Sequence, residues 1–142
     1  MKTITTTLLS LLLLLTPLTP LATASATIGS LTAPSQASAG STIKATLGTS
    51  IYIQNWEDYS IIWGLTTPKA VGSSTVAIGQ QIGYTQLYGT DTEKLNNFTV
   101  EVTIPDDFTP GDWALIAAVP YLVGASGSMG IHAFNSSIKI TA

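Results

Sequence analysis

The chain has 142 residues, 9% of them charged, and a formal net charge of −3. It contains no cysteine and, since all five basic residues are lysines, no arginine. A sequence so poor in cations lacks the footprint that nucleic-acid phosphates require, and without cysteine the core must hold the fold with no disulfides.

The first 26 residues have the pattern of a secretory signal peptide. Lys2 precedes an apolar run over residues 8–15, and the small residues 24–26 fit a signal-peptidase site. The run is far shorter than the roughly 20 residues needed to cross a bilayer. We expect cleavage after Ala26, with Ala24 as the alternative. The mature part, residues 27–142, is predicted to form a single domain with a formal charge of −4 and no membrane insertion.

Short apolar runs alternate with Gly, Pro, Ser and Thr through the mature part, and no helical stripe lasts three turns. Strands are predicted in chain order at residues 27–31, 42–47, 59–65, one or two within 75–88, 98–104, 112–121 and 131–141. Seven or eight strands in this length are typical of an all-β protein, an immunoglobulin-like or fibronectin-like antiparallel β-sandwich. Trp63 shares a face with Ile61 and Leu65, which predicts a core tryptophan; the same parity predicts that Tyr59 points inward.

Two N-glycosylation sequons test the strand registers. They begin at Asn97 and Asn135, and both asparagines fall on the face opposite the predicted core positions of their strands. We therefore expect both side chains to face solvent, where a secretory pathway could use them.

Nothing in the sequence predicts an enzyme, a metal site or a cofactor site. The only histidine, His132, has no nucleophile and carboxylate placed around it by a known motif. Glu57 and Asp58 are adjacent, so on a strand they would point to opposite faces and could not share a glycosidic bond. We interpret both as solvent-exposed turn residues.

The segment 50–58, SIYIQNWED, concentrates side chains suited to recognition. We predict that it ends one strand and forms the turn before the next, so that an exposed group can meet a partner. The candidate partner-binding residues are Tyr52, Gln54, Asn55, Trp56 and Asp58. Two functions remain open on these residues: a carbohydrate-binding module that stacks sugars on Trp56, and a protein that binds another protein.

Four stretches of the sequence resemble the fungal necrosis-inducing secreted protein family. They are TIGSLTAP, AGSTIKATLGTSIYIQNWED, VTIPDDFTPGDWALIAAVPYLVGAS and FNSSIKI. Residues 52–54 with Asp58, residues 64–65 and the stretch from 117 to 125 carry most of the resemblance, whereas residues 68–96 fit less well.

The resemblance implies a small secreted effector that acts by binding and without catalysis. It implies suppression of plant immunity through receptor-associated kinases of the host, with cell death in leaves in some members. Action outside or inside the host cell, the host target and the oligomeric state stay open. The alternative function is a carbohydrate-binding module acting on cell-wall polysaccharide.

Overall fold

Strands dominate the computed structural model, which describes residues 25–52, 55–72, 75–92 and 95–142. Within these ranges there are nine strands and a short 3-10 helix at Pro68–Ala70. The strands are β1 (Ser25–Thr32), β2 (Gln36–Ser38), β3 (Thr42–Tyr52), β4 (Trp56–Asp58), β5 (Ser60–Thr66), β6 (Gln80–Gln86), β7 (Asn97–Thr103), β8 (Gly111–Val123) and β9 (Ser128–Thr141). No helix in the described part of the chain is long and apolar enough to span a membrane.

The strands form two sheets. The three-stranded sheet has the order β1-β3-β7, and the six-stranded sheet has the order β2-β9-β8-β5-β6 with β4 paired to β8. All pairings are antiparallel except that of β2 with β9. The predicted antiparallel β-sandwich is confirmed, while its assignment to the immunoglobulin-like or fibronectin-like class stays a prediction. The strand count exceeds the expected seven or eight because β2 and β4, at three residues each, are too short to show an alternation.

The core lies between the inner faces of the two sheets. Ala45 and Leu47 of β3 meet Ile61 and Leu65 of β5 there, and all four are buried. Trp63 is 1% exposed, which confirms the predicted core tryptophan, and its indole N–H donates a 2.9 Å hydrogen bond to Oγ1 of Thr85. A buried indole needs such a partner because an unpaired donor in the core costs free energy.

The outer face of the six-stranded sheet is partly covered by the chain itself. Ala114, Ile116 and Ala118 of β8 face away from the core, yet they are buried. Residues that precede β6 lie over the part of this face that contains Ile116. Val71 and Val76 line a cavity of about 280 Å³ together with Ile116. The predicted strand region 75–88 thus holds one strand, preceded by an extended stretch that serves as a cover.

A close approach of two backbones fixes the position of this cover. A side chain on Gly64 of β5 would collide with the carbonyl oxygen of Ile78. Only a glycine at this position lets the chain pass directly over the sheet, so the sequence of β5 determines where the cover can lie.

Candidate functional site

The segment predicted as a turn is a short strand at the end of the sandwich. In β4, Trp56 is opposite Val123 and Asp58 is opposite Tyr121, so the segment runs along β8. The backbone N–H of Gly124 donates to the carbonyl of Asn55 at 2.8 Å, which attaches the β8–β9 hairpin to the start of β4. Residues 55–58 and the hairpin therefore form one structural unit.

Five rings contributed by four strands pack in this unit and form the aromatic cluster. The indole of Trp56 stacks on Tyr121, with ring centroids 4.3 Å apart and planes 13° apart, and Tyr52 leans against it at 4.9 Å and 59°. His132 contacts Tyr121 at 4.4 Å and Phe134 at 6.1 Å. Offset and tilted ring pairs of this kind each add about 0.5–1.5 kcal/mol beyond burial, so the cluster stabilises the junction of β3, β4, β8 and β9.

The structure corrects the prediction for one member of the partner-binding group, Asp58. The sequence interpretation of Asp58 as an exposed turn residue is wrong, because its side chain is 2% exposed. Oδ2 accepts a hydrogen bond from the backbone N–H of Ile28 at 2.9 Å, and Oδ1 accepts one from the indole N–H of Trp56 at 2.7 Å. Its pairing with Tyr121 places it on the inner face, where a carboxylate must be hydrogen-bonded to be tolerated. Asp58 joins β1 of one sheet to β4 of the other.

The remaining members of the predicted group have different environments. Asn55 is exposed, Tyr52 and Trp56 are half-buried, and Gln54 lies outside the described residues. Tyr121 occupies one face of the Trp56 indole. Since a sugar stacks on a free ring face, Tyr121 removes one of the two faces of the Trp56 indole on which a sugar could stack.

Several exposed apolar side chains lie on the outer face of the six-stranded sheet, at the end of the β8–β9 hairpin. In the β8–β9 hairpin, Leu122 is opposite Met129 and Pro120 is opposite Ile131, so all four share that face. Met129 is 80% exposed and Ile131 is 51% exposed. The predicted strands stopped at residue 121 and resumed at 131, which left this hairpin end as a loop. The continuing alternation of Met129 and Ile131 was the signal that could have extended them.

A β-bulge turns one more aromatic ring toward this face. Asp58 at the end of β4 is opposite Tyr121, and Ile62 in β5 is opposite Ala118. From the first pair to the second the chain advances four residues from Asp58 to Ile62, whereas β8 covers the same distance with three. The extra residue lies at Tyr59, which corrects the predicted inward orientation of its side chain. The Tyr59 ring is half-buried and stacks on Tyr88 with centroids 4.7 Å apart and planes 3° apart.

We call this region the uncovered face. It adjoins a groove of about 180 Å³ lined by Tyr59, Pro120, Leu122 and Met129, among others. Tyr84 of β6 is 57% exposed and lies opposite Ile62, whose side chain faces outward. Tyr88, which follows β6, is 51% exposed. The uncovered face is defined by Tyr59, Tyr84, Tyr88, Leu122, Met129 and Ile131.

Among the described residues there is no group of three or more His, Cys, Asp or Glu side chains that could hold a metal ion. His132, the single histidine, contacts rings of the aromatic cluster, namely Trp56, Tyr121 and Phe134. The exposed side chains of the uncovered face are apolar and aromatic, and they are suited to van der Waals and stacking contacts.

Comparison with known proteins gives the family. The model of the Nis1 family matches residues 24–139, which is most of the chain. The chain belongs to the Nis1 family. Among relatives, the chain is 30% identical over 119 residues to necrosis-inducing secreted protein 1 of Colletotrichum higginsianum, covering 84% of this chain and 81% of that one. It is 29% identical over 117 residues to the protein of the same name from Colletotrichum orbiculare, covering 82% and 71%. The resemblance stated from the sequence motifs is confirmed.

Solved structures add little to the Nis1 family assignment. A superoxide reductase (neelaredoxin) from Ignicoccus hospitalis aligns with a TM-score of 0.46 at 9% identity, over 80% of this chain and 82% of that one. A likeness this low carries no argument about the chemistry of the chain.

The residues that carried the resemblance to the Nis1 family have structural positions here. Asp58 joins the two sheets, Tyr52 packs on Trp56, and Gly64 lies beneath the backbone of Ile78. Asp58, Tyr52 and Gly64 therefore contribute to the framework of the fold.

Proposed function

We propose that this member of the Nis1 family is a secreted fungal effector that provokes necrosis in plant tissue and suppresses plant immunity by binding and inhibiting receptor-associated kinases of the host. The observation that carries the proposal is the family match over residues 24–139, together with relatives named as necrosis-inducing secreted proteins. The signal-peptide pattern at the start of the chain supports secretion.

Action by binding, without catalysis, is consistent with the character of the exposed surface. Several large apolar and aromatic side chains of the six-stranded sheet are exposed, among them Met129, Ile131 and Tyr84. Contiguous apolar surface of this kind is where soluble proteins meet partners. The absence of cysteine from the sequence means that no disulfide is lost in a reducing compartment, so the proposal includes action inside the host cell as well as outside it.

The decisive experiment is a pull-down. The full chain is expressed in a secreting yeast, purified from the medium and used to capture a panel of plant receptor-like and receptor-associated kinases. We expect enrichment of at least one kinase over a secreted, glycosylated β-sandwich of unrelated sequence. No enrichment over that control contradicts kinase binding. Infiltration of the same protein into leaves tests necrosis separately.

The carbohydrate-binding alternative makes a different prediction, and the stacking of Trp56 on Tyr121 weakens it. A module of that type would be retained on chitin, cellulose or xylan and would lose retention in Trp56→Ala. We expect no retention of either protein. Retention of the wild-type chain that Trp56→Ala abolishes would replace the effector proposal with the carbohydrate one.

A further inference from the structure

The chain covers one part of the outer face of its six-stranded sheet and leaves the other part open. Ile116 is buried beneath the segment that precedes β6, and Gly64 lies under Ile78. Toward the β8–β9 hairpin, Met129 and Ile131 on the same face stay exposed. Contiguous exposed apolar patches on soluble proteins mark sites where partners bind, which makes the open part of this face a candidate contact surface.

The aromatic side chains of the uncovered face are held in place before any partner arrives. The Tyr59 and Tyr88 rings are stacked in parallel. Gln86 accepts a 2.7 Å hydrogen bond from the Tyr84 hydroxyl and donates a 3.0 Å bond to the carbonyl of Tyr88. Rigid tyrosines lose little conformational entropy on binding, and they are enriched among the residues that dominate protein interfaces.

Among the described residues, the charged side chains beside the uncovered face are negative. Glu57 lies opposite Leu122 on β8 and is exposed, and the exposed Asp91 follows Tyr88 by three residues. The described lysines lie elsewhere: Lys44 is opposite Glu101 in the other sheet, Lys139 is opposite Asp112 at the far end of β9, and Lys69 belongs to the 3-10 helix, whose Pro68 lines a cavity with Lys139. The border is thus complementary to a basic surface.

We propose that the uncovered face is the docking surface of this protein, and that its partner is a host protein presenting an apolar patch bordered by lysine or arginine side chains. The proposal rests on the proposed function, because it names the surface through which the effector binds. Charge complementarity favours a partner with a basic border, and within the segment 55–58 only Glu57 lies beside this face.

Two matched pairs of variants test the proposal. Met129→Asp puts a charge into the centre of the face, and Ile51→Asp puts the same charge on an exposed isoleucine (60% exposed) of β3. Glu57→Lys reverses the border charge, and Glu101→Lys reverses an exposed carboxylate of the other sheet. Each full-length variant is purified from yeast medium, and circular dichroism and thermal unfolding confirm that it folds.

Binding is measured by biolayer interferometry against the purified kinase domains from the pull-down. We expect Met129→Asp to weaken binding by about tenfold or more and Glu57→Lys to slow association several-fold, while each control stays within about twofold of wild type. Raising the salt concentration should slow association of wild type more than that of Glu57→Lys. Equal binding by Met129→Asp and Ile51→Asp overturns the docking surface and leaves kinase binding standing.

If the wild-type protein binds no kinase, kinase binding is contradicted. The docking surface is then tested by leaf necrosis with the same four variants. Loss of necrosis in Met129→Asp but not in Ile51→Asp supports the surface. Unchanged necrosis in Met129→Asp, or none with wild type, overturns it. Sedimentation of the free protein identifies a different occupant: a wild-type dimer that Met129→Asp converts to a monomer makes this face an interface between copies and overturns the proposal.

Discussion

The indole N–H of Trp56 donates a 2.7 Å hydrogen bond to Oδ1 of Asp58, two residues further along the same short strand. The other carboxylate oxygen accepts the backbone N–H of Ile28 across the sandwich. One buried carboxylate therefore orients the central ring of the aromatic cluster and joins the two sheets. Asp58 therefore belongs to the framework of the protein, whereas the adjacent Glu57 is exposed on its surface.

The first prediction concerns Asp58. Asp58→Ala leaves the Ile28 N–H and the Trp56 indole N–H without this acceptor, so we expect the free energy of unfolding to fall by about 2–4 kcal/mol. Glu57→Ala, an exposed neighbour on the same strand, should change it by less than about 0.5 kcal/mol. Urea unfolding followed by tryptophan fluorescence measures both. Similar values for the two variants would contradict the anchoring role.

The second prediction concerns the core pair Trp63 and Thr85. Thr85→Val removes the acceptor of the buried indole N–H, and we expect a loss of about 1–3 kcal/mol in unfolding free energy. In a Trp63→Phe background the donor is absent, so the same substitution should cost less than about 0.5 kcal/mol. The double-mutant cycle from four denaturation curves gives the coupling energy, and a value near zero would remove the hydrogen bond from the account of the core.

The third prediction concerns the cover before β6. In Gly64→Ala the new methyl group meets the Ile78 backbone, so the cover must shift and we expect a loss of about 1–3 kcal/mol. Hydrogen exchange should increase in the segment 75–79. Gly29→Ala is the matched control, because its methyl group would contact only the Gly48 carbonyl oxygen at 3.9 Å. Equal exchange in both variants would show that the cover does not depend on this approach.

The fourth prediction concerns the sequons. Asn97 and Asn135 are both exposed, so protein secreted from yeast should carry a glycan at each. Asn97→Gln and Asn135→Gln should each reduce the intact mass by one glycan, and after treatment with an amidase that removes whole N-glycans the masses should differ only by the substitution. Asn55→Gln, outside any sequon, provides the control. A mass unchanged by either sequon variant means that the site is not used.

The sequence by itself determined the family, the all-β class and most strand positions. Alternation of period two in residues 42–47 and 98–104 defines one buried face, because successive side chains of a strand point to opposite sides. The same parity predicted a buried Trp63 and outward-facing sequon asparagines, and the structure has both.

Only the tertiary structure decided the character of residues 55–59 and the position of the exposed apolar surface. Nothing local distinguishes a turn aspartate from one that accepts a hydrogen bond from a strand 30 residues away. The β-bulge at Tyr59 reverses the orientation that parity predicts, since one extra residue changes the face of every residue before it. Whether an outer face is covered depends on where a distant segment passes, as Ile78 does over Gly64, and that is a property of the packed sandwich and not of any single strand.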